Sequence, residues 1–506
     1  MRILISIFIL SISQNYTGGF REGDWVVYGN FRFVTSVAMD QNTVYFGTTT
    51  GVIRYDRYAK SWLYPLTVAD GIPHERVDNI AFDPATGRIW VTTPGGTAYY
   101  QPTFRQWYSG GEFPVDLARN DFDPDNFPIL TTEWGYSYQN GIVRDLNMRE
   151  FPITGGVKDD YDLMYVGTWG MGPAIINTRY GDLNTLSFGP YSSELSTILE
   201  VGKELWMGDT RLSIGGLSVY NRAGGKWRWF LPQYTNGLIS SDLTSGISAS
   251  DKSGAIWLGT DYGLIRYQPE NNEFTAFADF SSLPSVSILS VAVDNLGVFV
   301  GTDNGLGFIP DIREPENKKR SKFSDSGGDN DSTALSIPFP VKSLNGYRIN
   351  SLEVIGNYIY LGTNYGVMRR LLADNSQFEY VNTPDKMLSV EINDIVRDSD
   401  SLLFVTPRDI QIVSLATEES STLTDHRYFD QWRLRRVVAD SANIWAATDI
   451  GLWKYRRADG YSRLFTVNDG MISDDIRGLV LDGDYIWLAT PRGLIRFYWN
   501  NPARID

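Results

Sequence analysis

The chain has 506 residues, with no Cys, 2 His, 48 Gly, 15 Trp, 29 Tyr and 25 Phe, and a formal charge of −15 from 45 basic against 60 acidic side chains. Without Cys there is no disulfide, thiolate nucleophile or Cys-ligated metal, and two His leave little material for a triad or a His-rich metal centre. The acidic balance opposes nucleic acid and anionic membrane surfaces, which need a basic field, whereas many Gly and aromatic residues point to short strands joined by tight turns.

Residues 1–13, MRILISIFILSIS, place one Arg before an apolar run from Ile3 to Ile12 and then small residues. This is the pattern of a secretory signal peptide cleaved after Ser13, and the run is too short for a membrane span of about 20 residues. No later segment is apolar enough to cross a bilayer, so the mature chain is expected outside the cytoplasm, whether periplasmic, surface-held or secreted. From residue 22 to 310 a repeat takes over. Its copies are VYFGTTTGVIRY at Val44, IWVTTPGGTAYY at Ile89, PILTTEWGYSY at Pro128, MYVGTWGMGPAI at Met164, LWMGDTRLSIGGLSVY at Leu205, IWLGTDYGLIRY at Ile256 and VFVGTDNGLGFI at Val298. The polar, Gly/Ser-rich stretch 311–332 reads as a flexible linker. Residues 333–506 then carry IYLGTNYGVMRR at Ile359, LLFVTPRDIQIV at Leu402, IWAATDIGLWKY at Ile444 and IWLATPRGLIRF at Ile486.

Eleven copies at a spacing of about 44 residues predict an all-β chain of four-stranded propeller blades. Each copy supplies an inner strand, a strand ending in Gly–Thr, a tight Gly turn, a third strand and an aromatic outer strand. The turn needs Gly because it demands a residue at positive φ. The seventh copy ends near Pro310 without an outer strand, and the last ends at Asn500 without one. Two spare strands precede the halves, DWVVYGN at Asp24 to Asn30 and ALSIPFPVK at Ala334 to Lys342. The expectation is that DWVVYGN completes the seventh copy in a first propeller of seven blades, 22–310. ALSIPFPVK would complete the last copy in a second, smaller or incomplete propeller, 333–506.

The hWhGT-x-x-GLxRY core, the downstream aromatic and the connectors Asp70-Gly71-Ile72, Asn236-Gly237-Leu238 and Asp469-Gly470-Met471 resemble the two-component-regulator propeller repeats of bacteria. In that family such propellers form extracytoplasmic sensory portions of hybrid histidine kinases that respond to polysaccharide fragments. The paired layout and the DWVVYGN start also resemble the PorZ-type double propellers of the type IX secretion system. The resemblance implies a sensor-like or assembly role at the cell envelope.

No catalytic motif, cofactor or metal site is read. DFDPDN at Asp121 to Asn126 starts like a calcium loop but has Asn126 where Gly and Thr132 where Glu would be needed. His74 and His426 stand in no nucleophile motif. Trp90, Trp206, Trp257, Trp445 and Trp487 share one strand position, which means packing between blades. The Gly–Thr turns and the connectors open on one face, expected to carry Trp134, Trp169, Asp261, Tyr262, Tyr365, Arg408 and Arg492, with His74 nearby. Asp303, Asn364 and Asp449 share it. Flat rings beside Asp, Asn and Arg suit a sugar, whose C–H faces stack while its hydroxyls take directed hydrogen bonds, or a protein hot spot. Three readings follow: a non-enzymatic module binding a glycan or an envelope protein; a subunit of a secretion or outer-membrane assembly; or a propeller-fold polysaccharide lyase or glycoside hydrolase, which needs two convergent carboxylates or a Tyr or His base.

Overall fold

The computed structural model describes residues 23–502 apart from 127–134, 210–215, 233–234, 236–242, 250–253, 278–282, 295–296, 311–343, 373–376 and 382–389 and residues 424, 426 and 429. The expected signal peptide (1–13), the expected linker (311–332) and ALSIPFPVK therefore lie outside the described residues. Ten antiparallel sheets follow one another, most of them four-stranded meanders whose first strand is innermost. They are blades I (34–62), II (79–109), III (150–185), IV (195–230), V (243–277), VI (288–310), VII (349–380), VIII (394–423), IX (434–465) and X (478–498).

A reciprocal hydrogen bond explains why Thr recurs at the end of the second strand. In blade I, Thr48 Oγ1 donates to Gly51 O at 2.8 Å and accepts from Thr50 N at 3.0 Å. The same pair recurs at Thr260, Thr302, Thr363, Thr448 and Thr490. The Gly that follows is obligatory: at Gly493, with φ +137°, a Cβ would stand 2.5 Å from Tyr28 O. Thr302 is fully buried, so Thr302→Val removes the acceptor of Asn304 N and the side-chain donor to Gly305 O. The expected loss is about 1–3 kcal/mol, read as a lower denaturation midpoint at unchanged m.

The inner strands of blades IV to X each pack on the next, and Gly478–Asp482 of blade X packs back on Leu195–Val201 of blade IV, closing a ring of seven. Blades VI and VII share one core, in which Ala292, Phe299 and Phe308 meet Leu344, Ile349 and Leu352. The expected division at 310 thus falls inside the ring, and the larger unit is the C-terminal one. The missing fourth strand of blade X is Trp25–Tyr28, in the register Trp25↔Phe497 to Tyr28↔Leu494. DWVVYGN therefore completes the last copy and not the seventh, and blade VI has three strands among the described residues.

Packing explains this choice. Trp25 stacks on Phe497 at 3.8 Å between centroids and meets Phe465 at 6.2 Å. On the other flank Tyr28 is surrounded by Phe188, Tyr220, Trp227 and Trp487. All four residues of the strand are buried.

The chain then passes directly into the smaller unit, an arc of three blades in the spatial order II, I, III. The copy at Pro128 does not form a blade within the described residues. Its Ser137–Gln139 and Ile142–Arg144 make a hairpin that extends the sheet of blade III, so ten blades stand among the described residues. Val143, Phe122, Tyr136 and Tyr138 from this region cover Phe151, Val166 and Ile176, the outward flank of blade III.

Candidate ligand-binding face

The Thr-x-x-Gly turns and the connectors do open on one face, because they hydrogen-bond to each other. Asn364 N donates to Arg348 O at 3.2 Å while Arg348 N donates to Asn364 Oδ1 at 3.0 Å. Arg433 N donates to Asp449 Oδ1 at 2.6 Å, and Asp303 N to Ser287 O at 3.2 Å. Asn364 and Asp449 are thus occupied in holding turn to connector.

The face divides the candidate residues. Tyr262 and Tyr365 stand out from the ring, 69% and 58% exposed. Tyr365 meets Tyr347 edge-on at 5.6 Å, and the Tyr347 hydroxyl lies 3.0 Å from that of Tyr380. The Tyr347 contact, ahead of burial, pushes the Tyr380 phenol up to about 12. Asp261, beside Tyr262, keeps one buried carboxylate oxygen without a partner among the described residues. Arg408 reaches Asp430 at 3.7 Å from the turn of blade VIII.

The remaining candidates serve other ends. Arg492 pairs with Glu75 and donates to Ile472 O at 2.8 Å, joining the ring to the loop before blade II. His74, next to Glu75, accepts from Arg76 N at 3.0 Å, which makes it a turn residue at this junction. Trp169 packs edge-on against Phe33 at 5.2 Å, and its backbone bridges to Phe33, so it holds blade III to the entry of blade I. Trp134 and His426 lie outside the described residues. Tyr347, Tyr380 and Arg348 were missed, although NGYRIN, which supplies two of them, is itself a connector. Asp121 of DFDPDN pairs with Arg119 at 2.6 Å and accepts from Lys158 N at 2.8 Å along the inner edge of blade III.

Inside the ring, where the inner strands of blades VII, VIII and IX meet, Arg436 pairs with Asp394 at 2.9 Å. Glu353 lies beside them. Burial, then the Asp394 charge, push its carboxyl up to about 7 against the pull of Arg436. A raised folded pKa means that the contribution to stability is complete below the ordinary carboxylate range and is lost as pH rises through about 7. At about 1.4 kcal/mol per pH unit the loss approaches about 3 kcal/mol. Melting scans from pH 5 to 8 should fall more steeply for the native chain than for Glu353→Gln, and parallel curves would refute the assignment.

No protein-family model and no curated protein matches the chain. Solved structures similar to it include the following two. One is the extracellular domain of the putative hybrid two component system BT4673 from B. thetaiotaomicron, at 15% identity, over 94% of this chain and 71% of that one, with a TM-score of 0.48. The other is PorZ, a bacterial surface component of the type-IX secretion system of Porphyromonas gingivalis, at 14% identity, 92% and 74% coverage, with a TM-score of 0.48.

Proposed function

We propose that the chain is a non-enzymatic recognition protein of the cell envelope, acting outside the cytoplasm, that binds a glycan or a protein through the turn face of its seven-blade ring. The observation that carries this reading is the cluster of Tyr347, Tyr365 and Tyr380 beside Arg348, with Tyr262 two blades away. These are large, apolar-bodied and partly exposed side chains on turns, on the connector and, for Tyr380, on the outer strand, held by the reciprocal Thr and Asn bonds and the ladder. Rings held on a rigid scaffold lose little entropy on binding and present both stacking faces and hydroxyls. Thermal stabilisation of the mature chain by a panel of envelope and plant polysaccharides tests it. Tyr262→Ala with Tyr365→Ala should weaken the responding ligand at least tenfold, about 1.4 kcal/mol. Release of new reducing ends or unsaturated sugars from the panel would favour the lyase or hydrolase alternative instead.

A separate observation favours the assembly-subunit reading. On the flank of blade II that faces away from blade I, Trp90 meets Tyr99 at 4.8 Å and Tyr99 stacks on Tyr108 at 5.3 Å. The Trp at this strand position in blades IV and IX is buried by the following blade. Blade II has no following blade among the described residues; its Trp90 is buried all the same, but Tyr99 is half-buried and Tyr108 exposed, so this flank suits a protein partner. Tyr99→Arg with Tyr108→Glu should then abolish recovery of a partner from solubilised envelope fractions, and leave polysaccharide binding unchanged.

A further inference from the structure

The repeat is broken in blade IX, and the break makes a cavity. Where the third strand of most strong copies has an aliphatic residue, Ile53, Ile265 or Ile495, blade IX has Trp453. An indole in this buried position needs an acceptor for its N–H. The connector leaving blade VIII provides one: Trp453 Nε1 donates to Asp425 Oδ2 at 3.1 Å. Asp425 also accepts from Ser462 Oγ at 2.6 Å and from Arg427 Nε and Nη2 at 3.0 and 2.7 Å. The connector is thereby tied to the strand Ser462–Phe465, and a cavity of about 440 Å³ lies between them, lined by Trp453, Tyr455, Tyr461, Asp425, Arg427 and Ser462 among others. Its size falls in the range of sites for small ligands, about 300–1,000 Å³.

The chemistry of its walls narrows the ligand. Trp453 and Tyr455 are near-parallel at 5.8 Å, and Tyr461 is 46% exposed beside them. Both nearby guanidinium groups are already matched: Arg427 with Asp425 at 2.7 Å and Arg456 with Asp459 at 2.7 Å. The site therefore has no net charge with which to select an anion. Asp425 is saturated by its protein donors, whereas the hydroxyls of Tyr455 and Tyr461 and Nη1 of Arg427 hold no hydrogen bond among the described residues. These groups can take hydroxyls while the ring of Tyr461 takes a C–H face.

We infer that the cavity between blades VIII and IX is a second binding site, at the outer edge of the ring where the connector meets the strand Ser462–Phe465, for one neutral pyranose unit of a glycan chain. This inference rests on the glycan form of the function proposed above. The test uses the full mature chain with maltose, cellobiose, lactose and galacturonate trimer as probes, followed by saturation-transfer NMR and tryptophan fluorescence. Three variants are compared with the native chain: Tyr461→Ala, Tyr461→Phe, and Tyr262→Ala with Tyr365→Ala. At least one neutral disaccharide should bind, weaken tenfold or more in Tyr461→Ala, keep most of its affinity in Tyr461→Phe, and be unaffected by the turn-face pair. Neutral disaccharide binding that survives Tyr461→Ala and fails in the turn-face pair overturns the cavity while the recognition reading stands. Binding of galacturonate trimer alone also overturns it. Absence of binding by all four probes together with a recovered protein partner overturns both the cavity and the glycan form of the recognition reading.

Discussion

Removing the strand Trp25–Tyr28, by starting the chain at Phe31, is expected to open the seven-blade ring and abolish cooperative unfolding, whereas a chain starting at Gln14 unfolds in one steep transition. The strand is the fourth of blade X and is buried on both flanks. Without it Ile495 and Phe497 lose their cover, and the junction with the arc loses Tyr28. Trp25→Ala alone should cost about 3–5 kcal/mol, the usual range for truncating a large core aromatic. Because the chain contains no Cys, the pairing itself can be tested without background. Val27→Cys with Ile495→Cys places two thiols opposite one another in the ladder, and oxidation should give one intramolecular disulfide. Failure to crosslink, with retention of two free thiols in the folded protein, would overturn the pairing.

The second large effect is expected at Asp425. Asp425→Ala removes the acceptor shared by Trp453, Ser462 and Arg427 at the join of blades VIII and IX. Removing one partner of a buried ion pair costs about 3–5 kcal/mol, because the other is left uncompensated. Arg427 is half exposed and can turn to water, so about 2–4 kcal/mol is expected. Burial by itself would raise the Asp425 pKa, but the donors, Arg427 foremost, hold it well below the ordinary carboxylate range. A depressed folded pKa gives stability that is present at neutral pH and is lost as pH falls below about 4. The native chain should therefore begin to lose its advantage over Asp425→Ala as the pH is lowered from 6 to 3. A constant difference across that range would show that packing, not charge, is the source.

The two stability effects sit on different sides of what the residues alone convey. Trp25 and Tyr28 could be read as strand residues in excess at the front of the chain. The edge that they fill could not be read. Asp425 had no signature at all, since its importance depends on an indole 28 residues further on.

The candidate face was legible in part for the same reason. Tyr262 and Tyr365 could be placed on it because their position between Thr and Gly is set by a hydrogen bond that spans three residues. Arg492 occupies a position of the same local kind, yet the contact between ring and arc takes it, and the His74 ring is spent on its own turn. Trp169 is likewise taken by Phe33, which lies 136 positions earlier. Whether a turn residue is free or consumed is a question about which other blade lies beside it, and the repeat says nothing of that.

The blade can be read from the residues alone: alternating strands, the Thr whose hydroxyl both accepts and donates, the Gly at positive φ, and the aromatic that packs between neighbours. All of these are local bonds or periodicities, so they can be read one copy at a time. Packing between distant segments sets how many blades close a ring, makes the ring of seven the C-terminal one, and completes its last blade from the N-terminal strand. Each half offers the same open edge with the same unpaired N–H and C=O groups, so a backbone ladder cannot discriminate between them. The decision falls to side chains on both flanks of the spare strand, where Trp25 finds Phe497 and Tyr28 finds Trp487.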